Sequence, residues 1–364
     1  MMCSRDLWLR ALRMEPVARL PFWPKLDPAY ALAHSSRFGS GTLADIHGFI
    51  GSDRHEYLPL CVREIRKTTS VEVVVEGELQ RFVYRTPKGV ATATKRFDRS
   101  SQSWHPMEFP IKELSDIDIM LEWYSDADYE VDDGALAAAP ATKEAIGDTA
   151  VTAAGIGVSP LMFFVEFLAG VMNAHLLLAD CRDTVEELFD KMHRALLRKV
   201  TLISEINPAD VLYLIENTST TLISPEQFRR YCAPHITEYG ELLKDKGRVM
   251  ALHMCGHLKN LLPDLAVLPA RAFEAFTSPP VGNTRLRDGR AMCPDKCLIG
   301  GTNATLWLQG ANVIVAEIKQ ELDALPHHRG IIVTSGGVMP PSCSPETIRE
   351  VCEWVKNYPV RMGE

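Results

Sequence analysis

The sequence contains no long cluster of lysine and arginine, although it has 364 residues in which to place one. Lys and Arg together number 39, Asp and Glu number 47, and the net charge is -8. Proteins that bind nucleic acid neutralise its phosphates with a basic patch or stripe. We therefore predict that no nucleic acid is a partner. The short basic run at residues 63–67 is interpreted as a solvated helix face.

A secretory apolar segment and an unbroken membrane span are also lacking. The longest uncharged run, Thr149 to Val165, is interrupted by Gly155, Gly157 and Pro160, and it is shorter than a membrane-spanning helix requires. We interpret it as a strand, a loop and the start of a core helix. The nine cysteines are odd in number and scattered, which favours a reducing compartment over a disulfide framework. We predict a cytoplasmic protein without a membrane partner.

No glycine-rich dinucleotide fingerprint follows any predicted strand, which disfavours an open Rossmann sheet. From residue 150 onward, short apolar runs alternate with helical patterns, as is typical of a parallel sheet. These runs lie at 150–155, 211–216, 248–253, 272–277, 297–301 and 330–337. With residues 19–24 as the first strand, the pattern predicts an α/β fold, a closed (β/α)8 barrel of the TIM type. Chemistry in such barrels sits at the carboxyl ends of the strands.

Two helices have distinct starting signals. Ser224 can cap a helix with a proline at its first position and Gln227 three residues on, which is the pattern of a capping box. A second helix is predicted from Asp183, with apolar residues at helical spacing up to Ile203.

Residues 1–149 follow a different pattern. Two runs rich in Val, Phe and Tyr, at 71–75 and 81–85, flank a Glu-Gly-Glu turn and predict an antiparallel hairpin or small sheet. We predict that residues 1–149 hold the first barrel strand and this elaboration. Residues 150–364 are predicted to form the remainder of the barrel and to carry the active site, the two parts making one structural domain.

The stretch MALHMCGH, residues 250–257, ends an apolar run with a histidine and a cysteine two positions apart. Side chains two apart on a strand point to the same face, so His253 and Cys255 would project together while Met254 points away. An imidazole nitrogen and a thiolate can both bind zinc, but two ligands do not complete a tetrahedral site. Burial of both side chains in a core remains the alternative.

Two further candidates fall at the same predicted rim. Glu274 lies in the apolar run AFEAFT, where a carboxylate needs a cation or a metal as its partner; a buried salt bridge is the alternative to a metal. Cys343 immediately precedes Ser344, a predicted helix cap followed by proline. A helix N-terminus lowers the pKa of a thiol and favours the thiolate, although an inert loop cysteine is the more common case for any one such residue.

Three segments together resemble a known family: residues 216–265, which include SPEQFRRYCAPH and LHMCGH, residues 273–284, and residues 338–351, VMPPSCSPETIREV. They are similar to the uroporphyrinogen decarboxylase superfamily, and within it to the zinc-dependent corrinoid methyltransferases. The resemblance covers residues 150–360 well and the start of the chain more weakly. It implies a (β/α) barrel with a funnel that admits a cobamide.

The resemblance also implies a set of site residues. His253 and Cys255 match the zinc-binding His-x-Cys pair, and Glu274 is similar to a ligand of related methyltransferases. We therefore assign His253 and Glu274 catalytic roles. Three residues at or just after predicted strand ends are assigned to cofactor binding: Asn217, Gly256 and Ser335. The family's late cysteine is replaced by Gly337, so that either Cys343, or Glu274 with water or substrate, would complete the metal site.

We expect a zinc-dependent methyltransferase that moves a methyl group between a corrinoid, free or protein-bound, and a small molecule. A thiol, tetrahydrofolate and a methoxylated or methylated compound remain open as that molecule, and a homodimer is possible. A tetrapyrrole decarboxylase is the first alternative. It is disfavoured because residues 16–40 hold only Arg19, Lys25 and Arg37, whereas the decarboxylases bind propionates with an arginine-rich segment. A barrel that binds a corrinoid without catalysis is the second alternative.

Overall fold

The computed structural model of the protein describes residues 2–39 and 42–363. Its strands in chain order are β1 Phe22–Trp23, β2 Arg54–Tyr57, β3 Val62–Ile65, β4 Ser70–Glu76, β5 Leu79–Thr86, β6 Gly89–Asp98, β7 Ser103–Glu108, β8 Asp128–Val131, β9 Ala150–Gly157, β10 Val211–Ile215, β11 Val249–His253, β12 Ala272–Phe276, β13 Cys297–Gly300 and β14 Ile331–Thr334. Its α-helices are α1 Ser4–Leu12, α2 Pro28–Ala33, α3 Ser35–Phe38, α4 Leu43–Ile50, α5 Leu114–Ser125, α6 Asp133–Ile146, α7 Pro160–Phe163, α8 Val171–Asp180, α9 Arg182–Ile206, α10 Pro225–Gln227, α11 Ala233–Asp245, α12 Leu262–Ala266, α13 Leu286–Met292, α14 Ala311–Asp323 and α15 Pro345–Asn357.

Eight of the strands form a nearly closed parallel barrel, in the order β1-β14-β13-β12-β11-β10-β9-β2. Every ladder in it is parallel, with helices between successive strands, so the predicted (β/α)8 fold is confirmed. Seven of the eight strands contain a predicted apolar run. The eighth, β2, was not predicted, because RHEY is short and polar.

The seam between β1 and β2 is joined through Asp53 and not through a continuous ladder. The backbone N–H of Asp53 donates to Phe22 O at 2.8 Å, and its carboxylate accepts the N–H of Phe22 at 3.0 Å. Arg19 donates two hydrogen bonds of 2.7 Å to the same carboxylate. A buried ion pair therefore closes the barrel where backbone pairing is sparse.

The barrel interior is filled by alternate residues of the strands and by helix α1. On β10, Val211 and Tyr213 pack inside with Trp8 of α1, whereas Leu212 and Leu214 pack outside among the surrounding helices. Since both faces of such a strand are buried, its sequence is an uninterrupted apolar run. This is why apolar runs in the sequence located most of the barrel strands.

The segment before residue 150 contains the additional sheet. Strands β4 to β7 form an antiparallel meander, and Gly77 at φ +61° makes the turn between β4 and β5, so the structure contains the expected hairpin and extends it to four strands. The interpretation of residues 63–67 as a helix face is wrong: β3 pairs with β8, and Arg63 lies opposite Glu130. The division of the chain at residue 149 remains a prediction.

Both predicted helix starts agree closely with the structure. Ser224 makes a complete capping box with Gln227, and α9 begins at Arg182, one residue before the expected start. Ser344 caps α15, as predicted, with its hydroxyl accepting the N–H of Thr347. In the described part of the chain, no helix is long and apolar enough to cross a membrane.

Asp210, at the amino end of β10, provides a test of acid stability. Its carboxylate, which is 6% exposed, accepts hydrogen bonds from Arg5, Lys143 and both the N–H and the hydroxyl of Thr152. Burial opposes ionisation, but these donors outweigh it and lower the pKa of Asp210. An unfolded aspartate has a pKa of about 3.9, so the stability that Asp210 contributes is present above that pH and is lost as the pH falls below it.

We expect Asp210→Asn to lower the free energy of unfolding by about 2 kcal/mol at pH 7, since Arg5 and Lys143 lose a charged partner but remain partly solvated. Urea unfolding between pH 7 and pH 2 measures this, and the variant should lose less stability on acidification than the wild type. Asp190→Asn, which removes an exposed aspartate paired with Arg194, is the control. Equal acid sensitivity of wild type and Asp210→Asn would contradict the prediction.

Candidate active site

His253 and Glu274 face each other at the carboxyl side of the barrel. They are paired residues of neighbouring strands β11 and β12, so the sheet register itself brings their side chains together. His253 Nδ1 contacts Glu274 Oε2 directly. Their side chains are 11% and 2% exposed, respectively. Thus the structure brings together two of the predicted metal ligands.

A lysine completes this contact. Lys25 lies two residues after β1, and its Nζ is 3.3 Å from His253 Nδ1 and 3.2 and 3.4 Å from the two oxygens of Glu274. Its backbone is held on both sides, because its N–H donates to Ser335 Oγ at 3.2 Å and its carbonyl accepts the N–H of Met339 at 2.8 Å. From the sequence, Lys25 was recognised only as one of the sparse basic residues near the N-terminus. Its position just after a barrel strand was the signal that could have identified it.

Cys255 lies beside this trio and begins a chain of polar contacts. Its thiol, on an exposed residue, donates to Asn217 Oδ1 at 3.4 Å, and Asn217 Nδ2 donates to Glu166 Oε2 at 3.0 Å. Met254 between His253 and Cys255 is fully buried among the outer helices, as the strand alternation predicted. Glu166 was missed, although a carboxylate in the apolar run FFVEFL could have been noticed by the argument applied to Glu274.

The backbone around these side chains is strained. Ala275, directly after Glu274, has φ +60°, which costs a residue with an ordinary side chain about 1 kcal/mol or more. Asn217 has φ +46°, a conformation that asparagine tolerates better, and its N–H donates to His253 O at 3.0 Å. Gly256 is needed for close packing, since a Cβ there would come within 2.7 Å of Thr218 O. Strain of this kind clusters at functional sites.

The charges of the site are set by mutual contact. Burial opposes protonation of His253, but the charge of the Glu274 carboxylate, together with hydrogen bonds that His253 makes with Cys255 and Glu274, outweighs burial and raises the pKa of His253 to about 9. Burial would raise the pKa of Glu274, yet Lys25 and His253 lower it to about 2. Burial raises the pKa of Glu166 to about 6, against the hydrogen bond from Asn217. Glu274 is therefore ionised throughout the neutral pH range. Glu166 titrates just below that range, at a pKa of about 6.

Neither Cys343 nor Ser335, the two remaining predicted site residues, contacts His253, Cys255 or Glu274 through its side chain. Cys343 is buried, its thiol donates to Ser344 O at 3.9 Å, and its carbonyl accepts the Tyr30 hydroxyl at 2.8 Å. The expectation that the N-terminus of α15 favours its thiolate is wrong, because burial raises the pKa of Cys343 to about 12. Gly337 has room for a side chain: a Cβ would meet only Ala304 Cβ at 3.5 Å. Ser335 is fully buried and donates to Gly337 O at 2.5 Å.

The donor atoms suit a zinc ion chemically. His253, Cys255 and Glu274 offer an imidazole nitrogen, a thiol sulfur and carboxylate oxygens, which are the groups that bind zinc in proteins. His253 and Glu274 already converge on a cation, the Lys25 ammonium. In residues 2–39 and 42–363, no three His, Cys, Asp or Glu side chains are already grouped as a metal site, and the Cys255 thiol is directed to Asn217. Zinc binding thus requires Cys255 to turn and Lys25 to withdraw.

The fold is shared with a solved structure. A methyltransferase from Methanosarcina mazei is 16% identical, superposes with a TM-score of 0.62, and matches over 98% of this chain and 99% of that one. A B12-independent methionine synthase from a Shewanella species is 10% identical over 93% of this chain and 94% of that one, at a TM-score of 0.46. Of these two structures, only the Methanosarcina methyltransferase is similar enough to show a common fold. No curated protein sequence matches the chain.

The sequence itself matches one family model. The model is that of uroporphyrinogen decarboxylase (URO-D), and it matches residues 108–358. The matched region is more than half of the chain and contains Glu166, Asn217, His253, Cys255 and Glu274. The chain therefore belongs to the uroporphyrinogen decarboxylase family.

Proposed function

We propose that the protein is a zinc-dependent methyltransferase, which moves a methyl group between a corrinoid and a small molecule. The observation that carries the proposal is the convergence of His253 and Glu274 on one cation position at the carboxyl side of the barrel, with Cys255 beside them. Family membership and the location of barrel active sites support it.

His253, Cys255 and Glu274 would hold the zinc ion and leave a fourth position open for a substrate, as catalytic zinc sites do. When bound, zinc would act as a Lewis acid that makes a thiol or an oxygen reactive at neutral pH. Cys343 is the weaker candidate for a further ligand, because its thiol is buried and its pKa is raised.

The neighbouring side chains have roles that this geometry suggests. Asn217 Oδ1 accepts a hydrogen bond from the Cys255 thiol and would hold the sulfur while no zinc is bound. Glu166 holds the amide of Asn217 with one oxygen, while its buried Oε1 has no partner in the described part of the chain. A carboxyl with a pKa of about 6 can accept a proton at neutral pH. We assign to Glu166 the removal of the proton from an incoming thiol.

The corrinoid, free or protein-bound, would approach the same end of the barrel. Asn217 and Gly256 line the turn beside Cys255, and both are candidates for contact with it. Ser335 was assigned to cofactor binding as well, but its burial and its bond to the Lys25 backbone favour a supporting role. The small molecule is a thiol, tetrahydrofolate, or a methoxylated or methylated compound.

The decarboxylase alternative needs basic side chains that can bind propionates, and the few in residues 16–40 are already engaged. Arg19 makes two hydrogen bonds to Asp53, Arg37 pairs with Glu346, and Lys25 pairs with Glu274. This occupancy disfavours recognition of a tetrapyrrole carboxylate by that segment.

The proposal is tested by measuring zinc content together with methyl transfer from methylcobalamin to a panel of thiols. We expect close to one zinc per chain, and thiol methylation that stops when the zinc is chelated. Conversion of uroporphyrinogen to coproporphyrinogen would instead support the decarboxylase. Corrinoid binding without turnover on any acceptor of the three classes would support the non-catalytic alternative.

A further inference from the structure

A second cavity lies between the additional sheet and the barrel. It has a volume of 560 Å³ and is lined by strands β4 to β7, helices α5 and α9, and the end of β9. None of Lys25, His253, Cys255 and Glu274 lines it. The volume falls in the range of small-molecule sites. The cavity is therefore separate from the cluster of Lys25, His253, Cys255 and Glu274, although Phe163 and Phe167 of its wall adjoin Glu166.

The cavity wall is mainly aromatic. Its aromatic side chains are Phe82, Tyr84, Trp123, Tyr124, Tyr129, Phe163 and Phe167. Tyr84 and Trp123 meet edge to face with ring centroids 5.0 Å apart. Phe163 and Phe167, which flank the turn that carries Glu166, lie 5.1 Å apart. Such a surface favours a flat ring, which can stack or meet ring edges.

The two glutamates that line the cavity, Glu64 and Glu108, have ion-pair partners within the protein. Glu64 pairs with Arg66 and accepts the Tyr129 hydroxyl at 3.1 Å. Arg66 also stacks on Trp123, with its guanidinium 3.3 Å from the ring centroid. Glu108 pairs with Lys112 at 3.3 Å and accepts a hydrogen bond from Thr94. Both carboxylates of the cavity are thus already satisfied by protein groups.

The two lysines that line the cavity are not satisfied in this way. Within residues 2–39 and 42–363, neither Lys95 nor Lys199 has an ion-pair or hydrogen-bond partner for its ammonium group. Lys95 Nζ lies 5.2 Å from the centre of the Phe82 ring and 5.9 Å from that of Phe167. Lys199 Nζ lies 5.9 Å from the Tyr129 ring; burial lowers its pKa, against the attraction of the Glu64 carboxylate. Since Glu64 is already paired with Arg66, the two ammonium groups give the cavity positive charge that no ion pair holds.

We propose that this cavity binds an aromatic carboxylate. The rings supply stacking surface for the apolar body, and Lys95 and Lys199 supply the charge that a carboxylate needs. The two carboxylates of the wall, Glu64 and Glu108, are each paired with a cation, which limits their repulsion of such a ligand. The proposal goes beyond methyl transfer and does not depend on zinc.

The test is isothermal titration calorimetry of the full-length protein with 2-naphthoate and, as the neutral probe, 2-naphthalenemethanol. We expect saturable binding of one 2-naphthoate per chain, about tenfold tighter than the neutral probe, because a charge-assisted contact contributes roughly 1.4 kcal/mol or more. Lys95→Met and Lys199→Met should each weaken 2-naphthoate by about tenfold without changing the affinity for the neutral probe, and Lys199→Arg should retain binding.

Lys191→Met, on the same helix as Lys199 but outside the cavity, is the matched control and should bind as the wild type does. Thermal unfolding of each variant verifies that the fold is intact. Equal affinity for the two probes, or no effect of either cavity lysine, would overturn the proposal. So would loss of binding in Lys25→Met, since the anion would then be held at the barrel mouth. Failure of the zinc measurement would leave these outcomes unchanged.

Discussion

Protein in which His253 is replaced by alanine is expected to lose its zinc and, with it, methyl transfer. The His253 side chain would supply one of three protein ligands. Removal of a group that only hydrogen bonds to a ligand already lowers the affinity for zinc by about 10–100-fold. We expect a loss of affinity greater than about 100-fold for His253→Ala, and a similar loss for Cys255→Ser. Elemental analysis after dialysis against a zinc buffer of defined free concentration measures it.

Two variants control for this result. His257→Ala removes a histidine two residues beyond Cys255, of which only the backbone is hydrogen bonded, and it should keep its zinc. Cys343→Ser should also keep it, because that sulfur is buried beside Ser344 and Tyr30. Full zinc in both His253→Ala and Cys255→Ser would show that the His-x-Cys interpretation is wrong, and zinc loss in Cys343→Ser would restore the late cysteine as a ligand.

Glu274→Gln is expected to have two separable effects. It removes a proposed zinc ligand, and it also leaves the Lys25 ammonium and His253 without their buried anionic partner. Removing one member of a buried ion pair costs about 3–5 kcal/mol; since Lys25 is 23% exposed, we expect a loss of about 2 kcal/mol in the free energy of unfolding. The rate of methyl transfer and the zinc content should fall in parallel.

The double variant Lys25→Met/Glu274→Gln separates the two effects. With the cation removed as well, the free energy of unfolding should return to within about 1 kcal/mol of the wild type, but zinc should remain absent. Chemical denaturation measures the free energy of unfolding, and elemental analysis of the same preparations measures the zinc content. If the stable double variant binds zinc as the wild type does, Glu274 is only the partner of Lys25 and the buried salt bridge is the correct interpretation.

The parts of the structure that the sequence predicted are those that local pattern determines. Runs buried on both faces located most barrel strands, and their carboxyl ends placed His253 and Glu274 at one rim. Strand β2 was missed because its stability comes from pairing with β9 and not from an apolar sequence. Arg63 was misassigned for the same reason, since β3 depends on a partner strand 67 residues away.

The site itself was only partly predictable. The register of β11 and β12 places His253 opposite Glu274, and the family resemblance had already implied both residues as ligands of one metal. The Lys25 contact, however, depends on β1 meeting β14 across more than 300 residues, and the role of Glu166 depends on the Asn217 amide. The high pKa of Cys343 could not be predicted, because the helix terminus is a local signal whereas burial under Tyr30 is a tertiary one.

The Asp53 seam has a consequence for local unfolding. Strand β1 is tied to β14 by its ladder and by the clamp of Ser335 and Met339 on the Lys25 backbone, whereas β2 is tied by its ladder to β9. Cooperative units open where backbone hydrogen bonds are fewest. In the described part of the chain, the hydrogen bonds across this seam all involve Asp53, beside the stacked rings of Trp23 and His55. The barrel can therefore part between β1 and β2 while Lys25, His253 and Glu274 stay together, because all three lie on the continuous run of strands from β1 through β14 to β11.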